Sequence, residues 1–136
     1  MKKVLNNKGV SNLTSTLVGL LSLTIMLVIS ITFITVVNVQ TTLNEFGNQM
    51  IISCQNYGKT DGDEIEARYE QLENTLNISP TITYSATYFN SVGKTVQYGD
   101  LITITLVLEY DINLLGFDET LEFEISKTGL SQIYWK

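Results

Sequence analysis

The chain has no histidine, one cysteine, one proline and one tryptophan in 136 residues. Without histidine it lacks the commonest general base and the commonest metal ligand. A single cysteine excludes an intramolecular disulfide, and with it a stapled scaffold. For Cys54 a small buried apolar residue is the preferred reading; a bridge between two copies and a reactive thiol stand as the alternatives. Charge is scarce too, at 16% of residues against about 25% in ordinary soluble domains. The scarcity is local, because residues 9–44 carry no charged side chain at all. A conventional soluble enzyme is thereby disfavoured. No nucleophile–base pair, phosphate loop or metal cluster restores it, so neither catalytic residues nor a cofactor are expected.

What charge there is divides by sign. Lys2, Lys3 and Lys8 make residues 1–9 a basic leader, whereas residues 45–136 hold five bases and fourteen acids. An acidic polar part repels phosphates, so no nucleic acid is expected as a partner.

The most informative stretch is residues 17–37. Fourteen of its twenty-one residues are Leu, Ile, Val or Phe. A helix of that length rises about 31 Å, close to the roughly 30 Å hydrocarbon core of a bilayer. Its apolar side chains favour insertion by about 4–8 kcal/mol. The interspersed Ser and Thr cost little, because their hydroxyls bond back to carbonyls one turn earlier. A strand of this composition would leave its backbone unsatisfied in lipid. The run is longer than the core of a secretory signal and lacks an Ala-x-Ala site. A membrane helix over residues 10–37 is therefore expected, in the cell membrane as a single pass. The lysines before it place the N-terminus in the cytoplasm and the rest of the chain outside. Asn12, Ser15, Gly19, Ser22 and Ser30 fall within a sector of about 80° on this helix. Ser15-x-x-x-Gly19 is a small-residue pair that lets a second helix approach closely.

The helical pattern continues past the lipid. Val36, Val39, Leu43, Phe46 and Met50 recur at spacings of three and four among polar residues, which predicts an amphipathic continuation over residues 38–58, ending at Gly58. Residues 59–136 then form an outer domain. Ile65, Tyr69, Leu72 and Leu76 predict a second helix over 61–76, with Asp61 or Asp63 as its cap. Its acids lack the spacing of a calcium loop. After Pro80 the period becomes two. Ile82, Tyr84, Ala86 and Tyr88 form one apolar face. Ile102, Ile104, Leu106, Leu108, Tyr110 and Ile112 form another, and Leu121, Phe123 and Ile125 a third. Thr128-Gly129 reads as a break, with a short last strand over 132–135. The expected class is α+β: a long N-terminal transmembrane and amphipathic helix, a second short helix, and an antiparallel meander of three to four strands. Leu114, Leu115 and Phe117 sit in an apolar connection. It is either a hairpin tip folded onto the core or a contact for a partner or the membrane surface.

A basic leader ending Lys8-Gly9, an uncharged helix, its amphipathic continuation and a small meander together look like a type IV pilin or tight-adherence (TadE-like) pseudopilin. More closely, the chain resembles domain-of-unknown-function family 4320, small bacterial membrane proteins. The resemblance rests on Asn7-Lys8-Gly9, Pro80-Thr81-Ile82-Thr83-Tyr84, Leu101-Ile102-Thr103-Ile104-Thr105-Leu106, Tyr110-Asp111-Ile112 and the ending Gly129-Leu130-Ser131-Gln132-Ile133-Tyr134-Trp135-Lys136. It implies a component of pilus-type export machinery, with prepilin-peptidase processing between Gly9 and Val10. It implies as partners the lipid bilayer and other single-span pilin-like subunits or copies of the chain. Pilins carry Glu at the fifth mature position, where this chain has Thr14. That departure implies a minor or priming subunit rather than a major pilin. The competing reading is a tethered extracytoplasmic binding module that does not polymerise, with Tyr84, Tyr88, Phe89, Tyr98 and Tyr110 as its aromatic candidates.

Overall fold

A computed structural model describes residues 7–114 and 116–136, with side chains described for residues 12–113 and 116–136. Its first element is one unbroken helix, α1, Asn7–Tyr57, of 51 residues, about 76 Å long. The hydroxyls of Thr16, Thr24, Ser30, Thr32 and Thr35 each donate to the carbonyl four residues back, at 2.8–3.1 Å. This lets a run rich in Thr and Ile remain helical, because the hydroxyls find partners without water.

α1 ends where expected. Gly58 adopts φ +62, and its N–H donates to the Cys54 carbonyl at 2.9 Å. A side chain there would strike Ile133, since a Cβ would lie 2.6 Å from the Ile133 Cβ. Glycine is required twice over, for its conformation and for its lack of bulk.

The second helix, α2, spans Asp63–Leu76. It differs from expectation at its start. Gly62 occupies the cap position at φ 112, and no side chain caps the helix. The carboxylate of Asp61 instead accepts from the Gly62 N–H at 2.8 Å, and Asp63 already lies inside the helix. Asp63, Glu64 and Glu66 still occupy the first turn, where negative charge meets the positive end of the helix dipole. Asn77 closes the helix at φ 53, its N–H donating to the Glu73 carbonyl.

Five strands follow: β1 Thr81–Ala86, β2 Tyr88–Asn90, β3 Thr95–Val96, β4 Leu101–Leu114 and β5 Phe117–Leu130. β1, β4 and β5 form an antiparallel sheet in the order β1-β4-β5, so β5 is an edge; β2 and β3 make a separate small hairpin. Tyr88 thus does not continue the first strand, which ends at Ala86. The Tyr88 hydroxyl instead hydrogen-bonds Thr60 at 3.0 Å. Gly129 does not break β5 either. It pairs with Ile102 in the ladder and leaves room for the Gln55 side chain of α1, which a Cβ at that position would strike. The expected last strand is absent. Residues 131–136 bond to several elements rather than to one neighbour: Ser131 N–H to the Asp100 carbonyl, Gln132 N–H to the Gln55 carbonyl, and the Trp135 indole to the Gly58 carbonyl at 3.1 Å.

The core lies between the upper part of α1 and the sheet. Leu43, Phe46, Met50 and Cys54 of α1 are fully buried against Ile102, Ile104 and Leu106 of β4, with Ile65 and Leu72 of α2 closing one side. Phe46 meets Tyr69 edge to face, centroids 5.4 Å apart, and the Tyr69 hydroxyl donates to the Pro80 carbonyl at 2.9 Å. Arg68 of α2 donates to the Gln49 side chain of α1. The fold is α+β: a long apolar N-terminal helix, a short helix and an antiparallel sheet.

Candidate functional site

Two surfaces stand apart from this core: the bare lower part of α1, and the tip of the β4–β5 hairpin.

α1 carries a segment long and apolar enough to cross a membrane, with mean hydropathy 2.6 and none of it buried. Leu13, Leu17, Leu20, Leu21, Leu23 and Phe33 are all more than half exposed. In water such a surface would be untenable for a monomer; in lipid it is a solvated one. Asn12, Ser15, Gly19 and Ser22 are exposed, and nothing lies within 4 Å of a Cβ built at Gly19. At 100° per residue this sector points roughly 120° away from the stripe of Val39, Leu43, Phe46 and Met50 that faces the sheet. The small-residue face is therefore not obstructed by the chain's own domain. Gly9 and Val10 lie within α1, and their side chains are outside the described residues.

The hairpin runs alongside α1 toward its N-terminus. Gly47 sits against Leu106 and Ile125, and Gln55 against Gly129. β5 therefore ascends with α1 and β4 descends. From Leu106 to the end of β4 is eight residues, or about 27 Å, which equals about eighteen residues of helix. A cleft of about 190 Å³ between Ile31, Thr32 and Thr35 of α1 and Tyr110, Asp111 and Asn113 of β4 confirms how far down the strand reaches. Val28, Thr32, Thr35 and Val36 are half-buried there.

The turn itself is organised by side chains. Asn113 Oδ1 accepts from the Gly116 N–H at 3.1 Å, with Gly116 at φ +90, and Asn113 Nδ2 donates to Asp118 at 2.5 Å. Thr120 donates to Asp111 at 2.5 Å. These bonds satisfy polar side chains that would otherwise disfavour strand, and the ladder consequently runs beyond the expected residue 112 on β4. Phe117 is 73% exposed, so it does not fold onto the core. Leu115 and the Leu114 side chain lie outside the described residues. Between residues 109 and 124 there are six acids and no base. Glu109 stands opposite Glu122 in the ladder.

The titratable groups elsewhere read as structural. Burial pushes the Cys54 thiol up to about 12, which keeps it protonated and unreactive. Burial also raises Tyr84 and Tyr69, in the latter case assisted by Glu73. Lys59 bonds Glu64 at 2.7 Å and lowers its carboxyl. Among the described residues no three Cys, Asp or Glu side chains converge on a metal-sized site. Of the aromatic candidates, Tyr84, Tyr88 and Tyr110 are half-buried, while Phe89 and Tyr98 are exposed; the five do not form one face.

One family model, described as a domain of unknown function, matches residues 20–136. The chain belongs to DUF4320. The DUF4320 match begins inside the bare part of α1 and takes in the whole α+β domain, so the family unit includes all but the first three residues of the apolar run 17–37. No curated protein and no solved structure matches the chain.

Proposed function

We propose that this chain is a membrane-anchored, pseudopilin-like structural subunit, a minor or priming component of a pilus or secretion-type envelope assembly. The observation that carries the reading is α1 itself, one continuous 51-residue helix whose lower part is bare and whose upper part is the spine of a small sheet domain. A helix built that way anchors a domain and presents a lateral face to neighbours at the same time. In this reading the basic leader lies in the cytoplasm and the domain outside. Helices meet through the sector of Ser15 and Gly19, and the role is structural rather than catalytic. Thr14 offers no carboxylate for a neighbour's new N-terminus, which favours a priming position over bulk polymerisation.

Intact mass spectrometry of the native protein tests processing. A mass lacking residues 1–9 is expected, and a mass retaining them removes the prepilin-type step. Disulfide trapping of Ser15→Cys in membranes tests association. Crosslinked species are expected, whereas persistent monomer favours the tethered binding module.

A further inference from the structure

The apolar run alone does not fix where the bilayer sits on α1. Residues 9–44 are all uncharged, and that is enough for several placements of a roughly 30 Å slab. The hairpin removes the freedom. We propose that the β4–β5 tip rests on the bilayer surface on the domain's side, with Phe117 among zwitterionic headgroups. The crossing segment is then close to residues 10–30 rather than 17–37. The proposal rests on the reading of α1 as a membrane anchor and adds its depth.

Three observations carry it. First, the lower end of β4 lies beside Ile31, Thr32 and Thr35, and brings Asp111 and Asn113 with it. Asp111, Asp118 and Glu119 are exposed, and an exposed carboxylate in hydrocarbon is strongly disfavoured. Second, β5 is a sheet edge down to Phe117. Open edges do not occur in lipid, because their backbone N–H and C=O groups have no partner there. The hydrocarbon must therefore stop below the hairpin, and residues 31–37 lie above it. Third, a shifted span is available. Residues 10–30 are twenty-one uncharged positions, again about 31 Å of helix, and Lys8 falls just outside them.

Phe117 then sits at the one height that suits it. It is the exposed aromatic at the lower extremity of a polar hairpin, and aromatic rings favour the interfacial layer. The acids above it exclude an anionic lipid surface as the favoured contact, because six carboxylates without a base repel it. The domain is packed onto α1, so two attachments, helix and tip, hold it at a set height and restrict the tilt of the whole unit in the bilayer.

Depth measurements by nitroxide labelling test this in the full-length chain in phosphatidylcholine vesicles. Buried Cys54 stays in place, and the unsubstituted chain serves as the labelling blank. Single cysteines replace Leu13, Leu23, Ile34, Val92 and Phe117 in turn, each exposed and off the core. Collisional accessibility to oxygen over a nickel chelate reads depth. The expected ratio is highest at Leu23, several-fold higher at Leu13 than at Ile34, and intermediate at Phe117→Cys; at Val92, on the small hairpin near Gly58, it is that of water. Ile34 deeper than Leu13, or Phe117→Cys as water-exposed as Val92→Cys, overturns the proposal while leaving the anchor intact. A water-like Leu23→Cys overturns the anchor reading and the proposal together.

Discussion

The two parts of α1 obey the same backbone chemistry and differ only in what surrounds their side chains. From Leu13 to Ile34 nearly every large apolar residue is more than half exposed, while Leu43, Phe46 and Met50 are completely enclosed. The lower part is uncharged and carries large apolar residues on most sides, and the hydroxyls of Thr16, Thr24, Ser30, Thr32 and Thr35 are turned inward onto carbonyls. The upper part is apolar on a single stripe, with Asn44, Gln49 and Asn56 on its other sides. A helix apolar on every face calls for a uniform apolar solvent, whereas a striped one calls for a partner with one complementary face. The sheet supplies that face through β4, and Gly47 brings the two within contact.

This contrast can be broken most forcefully from below. Replacing Leu20 and Leu27 together by Lys costs insertion about 6–8 kcal/mol. The chain is expected to leave the membrane fraction, while the melting of the sheet domain in detergent stays where it was. A matching loss of domain stability would show that the two parts are not independent.

Phe46→Ala is the next largest effect. It opens a cavity between α1, α2 and the sheet and removes the contact with Tyr69, costing about 3–5 kcal/mol. Thermal unfolding followed by circular dichroism should drop by more than about 10 °C. Phe33→Ala, thirteen residues earlier on the same helix and 67% exposed, should barely move the same midpoint. Equal shifts would erase the distinction between a packed and an exposed phenylalanine.

A smaller effect sharpens the comparison through pH. Cys54 lies in the enclosed part, and its thiol is raised from 9.0 to about 12 by burial. The fold binds that proton more tightly than the unfolded chain does. Its contribution is therefore complete below about pH 9 and is lost as pH rises toward 12, on the order of a few kcal/mol in all. Tyr84, raised for the same reason, adds to the alkaline loss. Unfolding midpoints of the unsubstituted chain and of Cys54→Ala, compared across pH 8–12, should converge as pH climbs. Parallel curves would mean that the thiol is not enclosed.

The sequence made the larger elements readable because each rests on a local signal. The spacing of Val39, Leu43, Phe46 and Met50 gives the stripe, Gly58 gives its end, and the alternation from Ile102 to Leu108 gives the inward face of β4. What it concealed depends on contacts between distant residues. The Asp61 carboxylate was committed to the neighbouring Gly62 N–H, so helix α2 went without the expected cap. Gly129 reads as a break until Gln55 is seen filling the space beside it. Residues 132–135 read as a short last strand, yet the Gln132 N–H bonds the Gln55 carbonyl of α1, and Trp135 bonds the Gln97 side chain and the Gly58 carbonyl. At the tip, Asn113, Asp118 and Thr120 lie outside the strands that alternation predicts, and their pairing across the ladder is what keeps them extended. The candidate surfaces followed the same rule. The small-residue sector came from helical spacing alone, whereas the level of Phe117 relative to Ile31 is a tertiary quantity that no window of residues encodes.

The free margin of β5 carries Glu119, Glu122 and Glu124, with Glu109 directly across the ladder from Glu122. Two such margins brought together would set rows of like-signed groups face to face, and natural sheets use such charges to prevent merging. Copies of this protein are thereby steered away from joining as a continuous ribbon. Any crowding of neighbours in the membrane plane would instead press rod against rod, leaving each sheet a self-contained outer panel.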